Sequence, residues 1–314
     1  MLTHSARYDA SGDVAPSEDY TMSAPSKLRA LLAKPGIHLM PCCFDALSAR
    51  LVEKANFPVT FASGFSVAAA HGLPDTGLMS FGEMEQAMRR ITGSLEQIPC
   101  IGDGDTGYGN AVNAKRTVRG YAAAGLAGVM IEDQVAPKRC GHTRDKAVVD
   151  RPTALARVRA AVDASREAAA NEEDSILILA RTDALKTDGL DEALERAIAF
   201  RDLGADIVFV EAPRSLDEMR LIAKEVSGVP QLVNCLAGGL TPVLPPDELE
   251  KLGFTRTLAA YPLDLLNASI VAQRQALEGL RTGKPPPELT LPFAELQEAV
   301  GFPEYYAEEA KYKS

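Results

Sequence analysis

Short apolar runs alternate with longer amphipathic stretches along most of the chain. The runs cover residues 37–42, 59–62, 98–101, 128–131, 176–180, 207–210, 231–233 and 256–260. Each has strand length and is apolar on both faces, the pattern of a strand buried in a parallel sheet. The stretches between them carry helix starts. Asp45 precedes a helix over 46–55, Ser80 with Glu83 forms a capping box, and Asn113 precedes 114–124. Asp150 with Pro152 opens a helix running to Ala170, and Ser215 with Glu218 makes a second capping box. Eight strands, each followed by a helical segment, predict a (β/α)₈ TIM barrel, with an open doubly wound sheet as the alternative.

The residues following the runs sharpen this expectation. In order they are Asp45, Ser63-Gly64, Asp103 with Asp105, Glu132, Arg181, Glu211, Asn234 and Tyr261-Pro262. Polar groups thus gather at the carboxyl ends of the strands, where barrel enzymes build their sites. The longest stretch without a helix, 133–151, follows the fourth strand and reads as a lid.

The barrel pattern spans residues 24–284, the first helix opening at Ser23-Ala24-Pro25. Residues 1–23 are polar, lack the apolar core of a secretory signal, and read as a flexible arm. After Pro285-Pro286-Pro287 a C-terminal tail, 285–314, carries a helical stretch at 293–300 and Tyr305, Tyr306 and Tyr312. Its apolar side needs a surface, either another subunit or its own barrel.

Composition narrows the function. With 46% hydrophobic and 24% charged residues the chain is globular in type, and its net charge of −10 disfavours nucleic acid or an anionic membrane as partner. No apolar run is long enough to span a bilayer. Five cysteines without CxxC spacing predict neither a disulfide framework nor a zinc site, which fits a reducing cytoplasm.

Two segments carry candidate chemistry. Gly102-Asp103-Gly104-Asp105-Thr106-Gly107 matches a dinucleotide-binding spacing, but its two acids would repel a pyrophosphate. It also begins like an EF-hand, yet Ala114 stands where the twelfth-position glutamate belongs. Asp103 follows one strand and Glu132 the next, so adjacent strand ends would bring the carboxylates together. Hard oxygen ligands of this kind suit Mg²⁺; solvated acids on a Gly-rich turn are the plain alternative. In Lys138-Arg139-Cys140-Gly141-His142 a thiol stands among cations, which favours its thiolate and proton exchange near neutral pH. His142 suits a general acid or an anion-binding role. Arg181 suits a bidentate clamp on a carboxylate, or an ion pair with Asp183 or Glu211. Asn234 and Ser63-Gly64 fit the same pocket.

With these segments in view, the chain resembles the isocitrate lyase and phosphoenolpyruvate mutase superfamily from about residue 25 onward. The resemblance rests on Ser63-Gly64-Phe65, Leu73-Pro74-Asp75, the acidic run, Ile131-Glu132-Asp133-Gln134, the Cys140 segment and Ala180-Arg181-Thr182-Asp183. It is most similar to methylisocitrate, 2,3-dimethylmalate and petal-death-type lyases and to plant carboxyvinyl-carboxyphosphonate phosphorylmutase-like proteins. The resemblance implies a Mg²⁺-dependent enzyme, with Mn²⁺ as an alternative ion, that cleaves a C–C bond in a 3-substituted (2R)-malate. Oxaloacetate hydrolysis or decarboxylation, and phosphonate-forming phosphoryl transfer, are the other activities it brings. It implies direct metal ligation by Asp103, with Asp75, Asp105 and Glu132 acting largely through water. Ser63, Gly64, Phe65, Gly141, His142, Arg181, Glu211 and Asn234 would bind the 2-oxo or 2-hydroxy acid, and Cys140 would be the acid on a gate that also carries Lys138. Pro262 matches the lyase pattern. Some lyase relatives place a Tyr beside the Ser-Gly turn as the base; Phe61 and Ala62 stand there here. The resemblance further implies a homotetramer that exchanges its last helices between subunits.

Overall fold

The computed structural model describes residues 22–139, 146–284 and 286–313. The expected arm lies almost wholly outside them, as do Cys140, Gly141 and His142. Eight parallel strands close into a barrel in sequence order: β1 (Gly36–Cys43), β2 (Thr60–Ala62), β3 (Cys100–Asp103), β4 (Gly128–Glu132), β5 (Leu177–Thr182), β6 (Ile207–Val210), β7 (Gln231–Asn234) and β8 (Arg256–Tyr261). Closure is made by β1 and β8, paired from Gly36↔Arg256 to Pro41↔Tyr261. The open-sheet alternative is thereby excluded.

The two-residue period of a strand separates two cores. Met130, Leu177, Leu179, Ile207, Phe209, Leu232 and Leu258 point into the barrel and pack together. Their neighbours Val129, Ile131, Ile178, Ala180, Val208 and Val210 point outward, onto the surrounding helices. The helix Ala24–Leu32, capped by Ser23, sends Leu28 and Leu32 into the inner core and closes the amino-terminal mouth. The opposite mouth stays open, and the next inward residue on β2 through β7 is polar.

Strands β3, β4, β5, β7 and β8 run one or two residues past the apolar runs. The backbone of Asp103, Glu132, Arg181 and Asn234 belongs to the ladder although the side chains are not apolar, so hydrophobicity ends before the strand does. The helix expected from Ala114 starts at Ala111. Its cap is Asn110, whose Oδ1 accepts from the N–H groups of Val112 and Asn113, while Asn113 Oδ1 accepts from Asn110 N–H. Ser215 does cap Glu218 N–H, but the Glu218 carboxylate accepts from Arg214 N–H, so the second capping box is only half made. The Ser80–Glu83 box is complete.

Beyond the barrel, the expected tail helix is present at Phe293–Val300, and a further helix, Phe302–Ala310, follows it. The tail meets its own barrel through polar contacts to the helix Ala46–Lys54: Glu304 pairs with Arg50 and Lys54, and Lys54 Nζ donates to Glu298 O. Phe293, Leu296, Val300, Tyr305 and Tyr306 stay exposed. Among the described residues no helix is long and apolar enough to cross a membrane, and Cys42, Cys43, Cys100 and Cys235 are free thiols.

Candidate active site

The alternation that builds the inner core also builds the site. Ile101 points inward, so Asp103 does too. The same step of two takes Met130 to Glu132, Leu179 to Arg181, Phe209 to Glu211 and Leu232 to Asn234. All five polar residues line one cavity at the carboxyl ends of the strands, with Ser63, Phe65, Asp75, Lys138, Arg139 and Pro262.

Asp103 is fixed by backbone donors. Its Oδ2 accepts from Gly64 N–H at 3.1 Å and its Oδ1 from Asp105 N–H at 3.1 Å. Gly64 is needed for that approach, because a Cβ there would lie 2.4 Å from Asp103 Oδ2. Gly64 N–H therefore orients an acid. Gly104 N–H donates to Met130 O and Glu132 N–H to Asp105 O, which carries the β3–β4 pairing past the strand ends and keeps the two acidic segments side by side.

Lys138 comes down among these acids. Its Nζ lies 2.5 Å from Asp75 Oδ1 and 2.7 Å from Asp105 Oδ1, with all three side chains nearly buried. Burial pulls the ammonium toward its neutral form, but Asp105, Asp103 and Asp75 hold its pKa well above the usual value. Burial pushes the Asp105 carboxyl up to about 6 against the pull of Lys138. Glu132 is also raised by burial, against the attraction of Arg181. The segment bearing Lys138 is clipped in place by a side chain that mimics a strand. Gln134 Oε1 accepts from Arg139 N–H, and Gln134 Nε2 donates to Arg139 O, both at 2.9 Å.

Arg181 realises its plainer reading and keeps an edge on the cavity. Its Nε and Nη2 donate to Asp183 at 2.9 Å each, and Nη2 also lies 3.0 Å from Glu211 Oε2. Nε is 3.4 Å from Glu132 Oε2. Asn234 Nδ2 donates to the same Glu211 oxygen at 3.3 Å. Behind this layer Asp183 accepts from Lys146 Nζ, and Asp133 accepts from Thr182 Oγ1, Asp183 N–H and Arg196. The residues around Arg181 are thus held by a network of buried, paired charges.

A divalent cation fits these donors. Asp75, Asp103, Asp105 and Glu132 set four carboxylates against Lys138 and a shared Arg181, a surplus of negative charge. Glu132 Oε1 is buried without a hydrogen-bond partner among the described residues. Every candidate ligand is a hard oxygen, as Mg²⁺ prefers. Among the described residues no three acids, histidines or cysteines converge into a closed ligand shell.

The structure thus brings together the expected Ser63, Phe65, Asp75, Asp103, Glu132, Lys138, Arg181, Glu211, Asn234 and Pro262, with Asp105 behind Lys138 and Gly64 behind Asp103. Sequence reasoning passed over Lys146 and Leu236, and took Gln134 and Leu263 only as members of family motifs, with no contact assigned to them. Lys146 and Gln134 are polar residues in an irregular segment, with no pattern to announce their partners. Leu236 and Leu263 look like ordinary apolar loop residues until the barrel closes.

Comparison with known proteins follows the same lines. The model of the phosphoenolpyruvate phosphomutase family matches residues 28–280. The chain is 38% identical over 262 residues to the 2,3-dimethylmalate lyase of Eubacterium barkeri, covering 83% of this chain and 86% of that one. It is 39% identical over 267 residues to the probable 2-methylisocitrate lyase 2 of Corynebacterium glutamicum, covering 85% and 82%. Among solved structures it superposes on an oxaloacetate acetylhydrolase bound to 3,3-difluorooxalacetate with a TM-score of 0.85 at 32% identity, covering 93% of this chain and 98% of that one.

Proposed function

The chain belongs to the phosphoenolpyruvate phosphomutase family, within the isocitrate lyase superfamily, and from that premise we propose that it cleaves the C2–C3 bond of a 3-substituted (2R)-malate. The products are a 2-oxo acid and a carboxylic acid. The observation that carries the reading is the convergence of Asp103, Glu132, Arg181, Glu211 and Asn234 on one cavity that Lys138 and Arg139 also line. It pairs acids able to hold a divalent ion with cations able to hold carboxylates.

Asp103 would ligate Mg²⁺ or Mn²⁺ directly, and Asp75, Asp105 and Glu132 would hold it through water. When bound, the ion supplies a Lewis acid at the C2 oxygen and a template for the neighbouring carboxylate. Arg181, oriented by Asp183 and Glu211, binds the carboxylate of the 2-oxo acid, and Asn234 and Ser63 hold its oxygens. Phe65, Gly141 and Pro262 complete the binding surface. As the C2 hydroxyl loses its proton, the C2–C3 electron pair passes into the departing carboxylate as an enolate. Cys140 delivers its thiol proton to C3, and Lys138 and His142 keep that thiol in a cationic setting.

The exposed apolar side of the tail supports assembly with further copies of this chain, a homotetramer exchanging its last helices. The soluble partner is a small dicarboxylic acid, and the proposed setting is the cytoplasm.

One assay tests the activity. 2,3-Dimethylmalate, 2-methylisocitrate and oxaloacetate are each offered with Mg²⁺ and again with a chelator, and phosphoenolpyruvate is followed by phosphorus NMR. Chelator-sensitive release of pyruvate from a substituted malate is the expected result. Turnover of oxaloacetate alone would assign a hydrolase, and a new phosphonate signal a mutase.

A further inference from the structure

Gln134 stands two residues past the cavity-lining Glu132 and is almost fully buried. Its backbone is fixed twice over. Val135 N–H donates to Ala147 O and Val149 N–H to Asp133 O, an antiparallel bridge that pairs Gln134 with Val148. Arg157, itself buried on the helix Arg151–Ala168, donates from Nη1 to Glu132 O at 2.6 Å and to Gln134 O at 3.1 Å. The stretch just beyond β4 is thereby tied to the helix layer.

From this anchored backbone the Gln134 amide reaches Arg139. A carboxamide carries an acceptor and a donor, the same pair that a strand's main chain presents. It takes both main-chain groups of Arg139, the N–H and the carbonyl, at 2.9 Å each. Lys138 directly precedes that residue, and its ammonium spans Asp75 Oδ1 at 2.5 Å and Asp105 Oδ1 at 2.7 Å. The loop carrying Asp75 leans on the same limb. At Gly77, whose φ is +71°, a Cβ would lie 3.3 Å from both Pro137 Cβ and Lys138 N. A lysine ammonium rides on a flexible four-carbon stem, so it keeps one seat only where its main chain is placed.

Resting on the lyase reading above, we propose that Gln134 is a positioning residue for this site: by gripping Arg139 from the anchored end of β4, it seats the Lys138 ammonium between Asp75 and Asp105. It acts through Lys138, along a line of contacts from Arg157 to the Gln134 backbone, then its amide, then Arg139. Asp103 has its own donors, Gly64 N–H and Asp105 N–H, so the clip governs the ammonium and leaves Asp103 in place.

The test compares the full chain with Gln134→Met, which keeps the length of the side chain and removes both hydrogen bonds. Labelling with acetic anhydride, read by mass spectrometry, reports on each lysine. In the unaltered protein the buried Lys138 and Lys146 are expected to be protected and the exposed Lys224 to react. In Gln134→Met, Lys138 is expected to gain reactivity several-fold while Lys146, held by Asp183, stays protected. With a substituted malate and Mg²⁺, kcat is expected to fall by about 10²-fold, the cost of misplacing an active-site group by about 1 Å, and KM to change far less. Gln134→Glu keeps the acceptor for Arg139 N–H and loses the bond to Arg139 O. It should move both readouts in the same direction, and it decides the matter if Gln134→Met does not fold. Continued protection of Lys138, or an unchanged kcat, in a folded variant would overturn the inference. Loss of protection at Lys146 as well would reduce Gln134 to a support of the fold and overturn it too. If the unaltered enzyme cleaves no substituted malate, the lyase reading falls, and the labelling alone decides whether Gln134 seats Lys138.

Discussion

Lys146 Nζ lies 2.5 Å from Asp183 Oδ1, and both side chains are fully buried. Asp183 also receives Arg181 through two hydrogen bonds. Lys146 sits where the segment after β4 returns to the barrel. There Val135 N–H donates to Ala147 O and Val149 N–H to Asp133 O, zipping the two limbs together. One ammonium therefore links that segment to the arginine that faces the cavity. Replacing Lys146 by Met is expected to destabilise the protein by about 3 kcal/mol, because the buried Asp183 charge then keeps only Arg181 to balance it. Urea unfolding measures this, and a variant as stable as the original would show the pair to be dispensable.

The same pair sets a pH dependence. Burial works against the Asp183 charge, but Arg181 and Lys146 win and hold its pKa below the usual carboxylate value. A depressed carboxylate contributes stability above its unfolded pKa of about 3.9, and that stability fades as the pH falls through the folded value. The deficit of Lys146→Met should thus be full at neutral pH and shrink as the solution is acidified below about pH 4. Unfolding curves at several pH values decide it; a deficit constant with pH would mean that the lysine acts through packing alone.

Gly64→Ala tests the seat of the metal without touching an acid. The added methyl would meet Asp103 Oδ2 at 2.4 Å and Asp103 Cγ at 2.9 Å, so the carboxylate must move. If that overpacking of about 1–3 kcal/mol falls on the ligand, Mg²⁺ affinity drops by about 5- to 150-fold, with the fold retained. Calorimetric titration with Mg²⁺ reads the change, and undiminished affinity would remove Asp103 from the ligand set.

Arg181→Lys keeps the charge and discards the fork. Lysine cannot reproduce the paired bonds to Asp183 while presenting a second edge to a substrate carboxylate. A fall in kcat/KM of about 10²-fold is expected, from the loss of charge-assisted hydrogen bonds. Steady-state kinetics check this, and full activity would reduce Arg181 to a structural cation.

Cys140→Ala separates proton delivery from binding. Oxalate and Mg²⁺ should bind as before while turnover drops by on the order of 10²–10⁴-fold, the usual contribution of a positioned acid. Calorimetry and kinetics on the same preparation provide both numbers, and unimpaired turnover would contradict the role.

Much of the site was legible because a strand's side chains alternate. Once 101, 130, 179, 209 and 232 are recognised as inward-facing, 103, 132, 181, 211 and 234 must face the same way. The strand bounds were less legible, since Glu132 or Arg181 at a strand's end looks like a loop residue to any measure of hydropathy. The helix capped by Asn110 was misplaced for a related reason. Asn113, three residues on, offers the same side chain, and only the reciprocal hydrogen bonds show which asparagine is the cap and which its partner.

What the sequence determined by itself is the barrel and the identity of the polar residues at its mouth. Both follow from local periodicity, which is fixed by backbone geometry. The tertiary structure decided the rest: the seat of Lys138 between Asp75 and Asp105, the Gln134 clip on Arg139, the reach of Lys146 to Asp183, and the meeting of Leu236 and Phe65 on one cavity. These depend on closure. Strands far apart in the chain become neighbours across the opening only when β8 pairs with β1, and no local pattern encodes that distance.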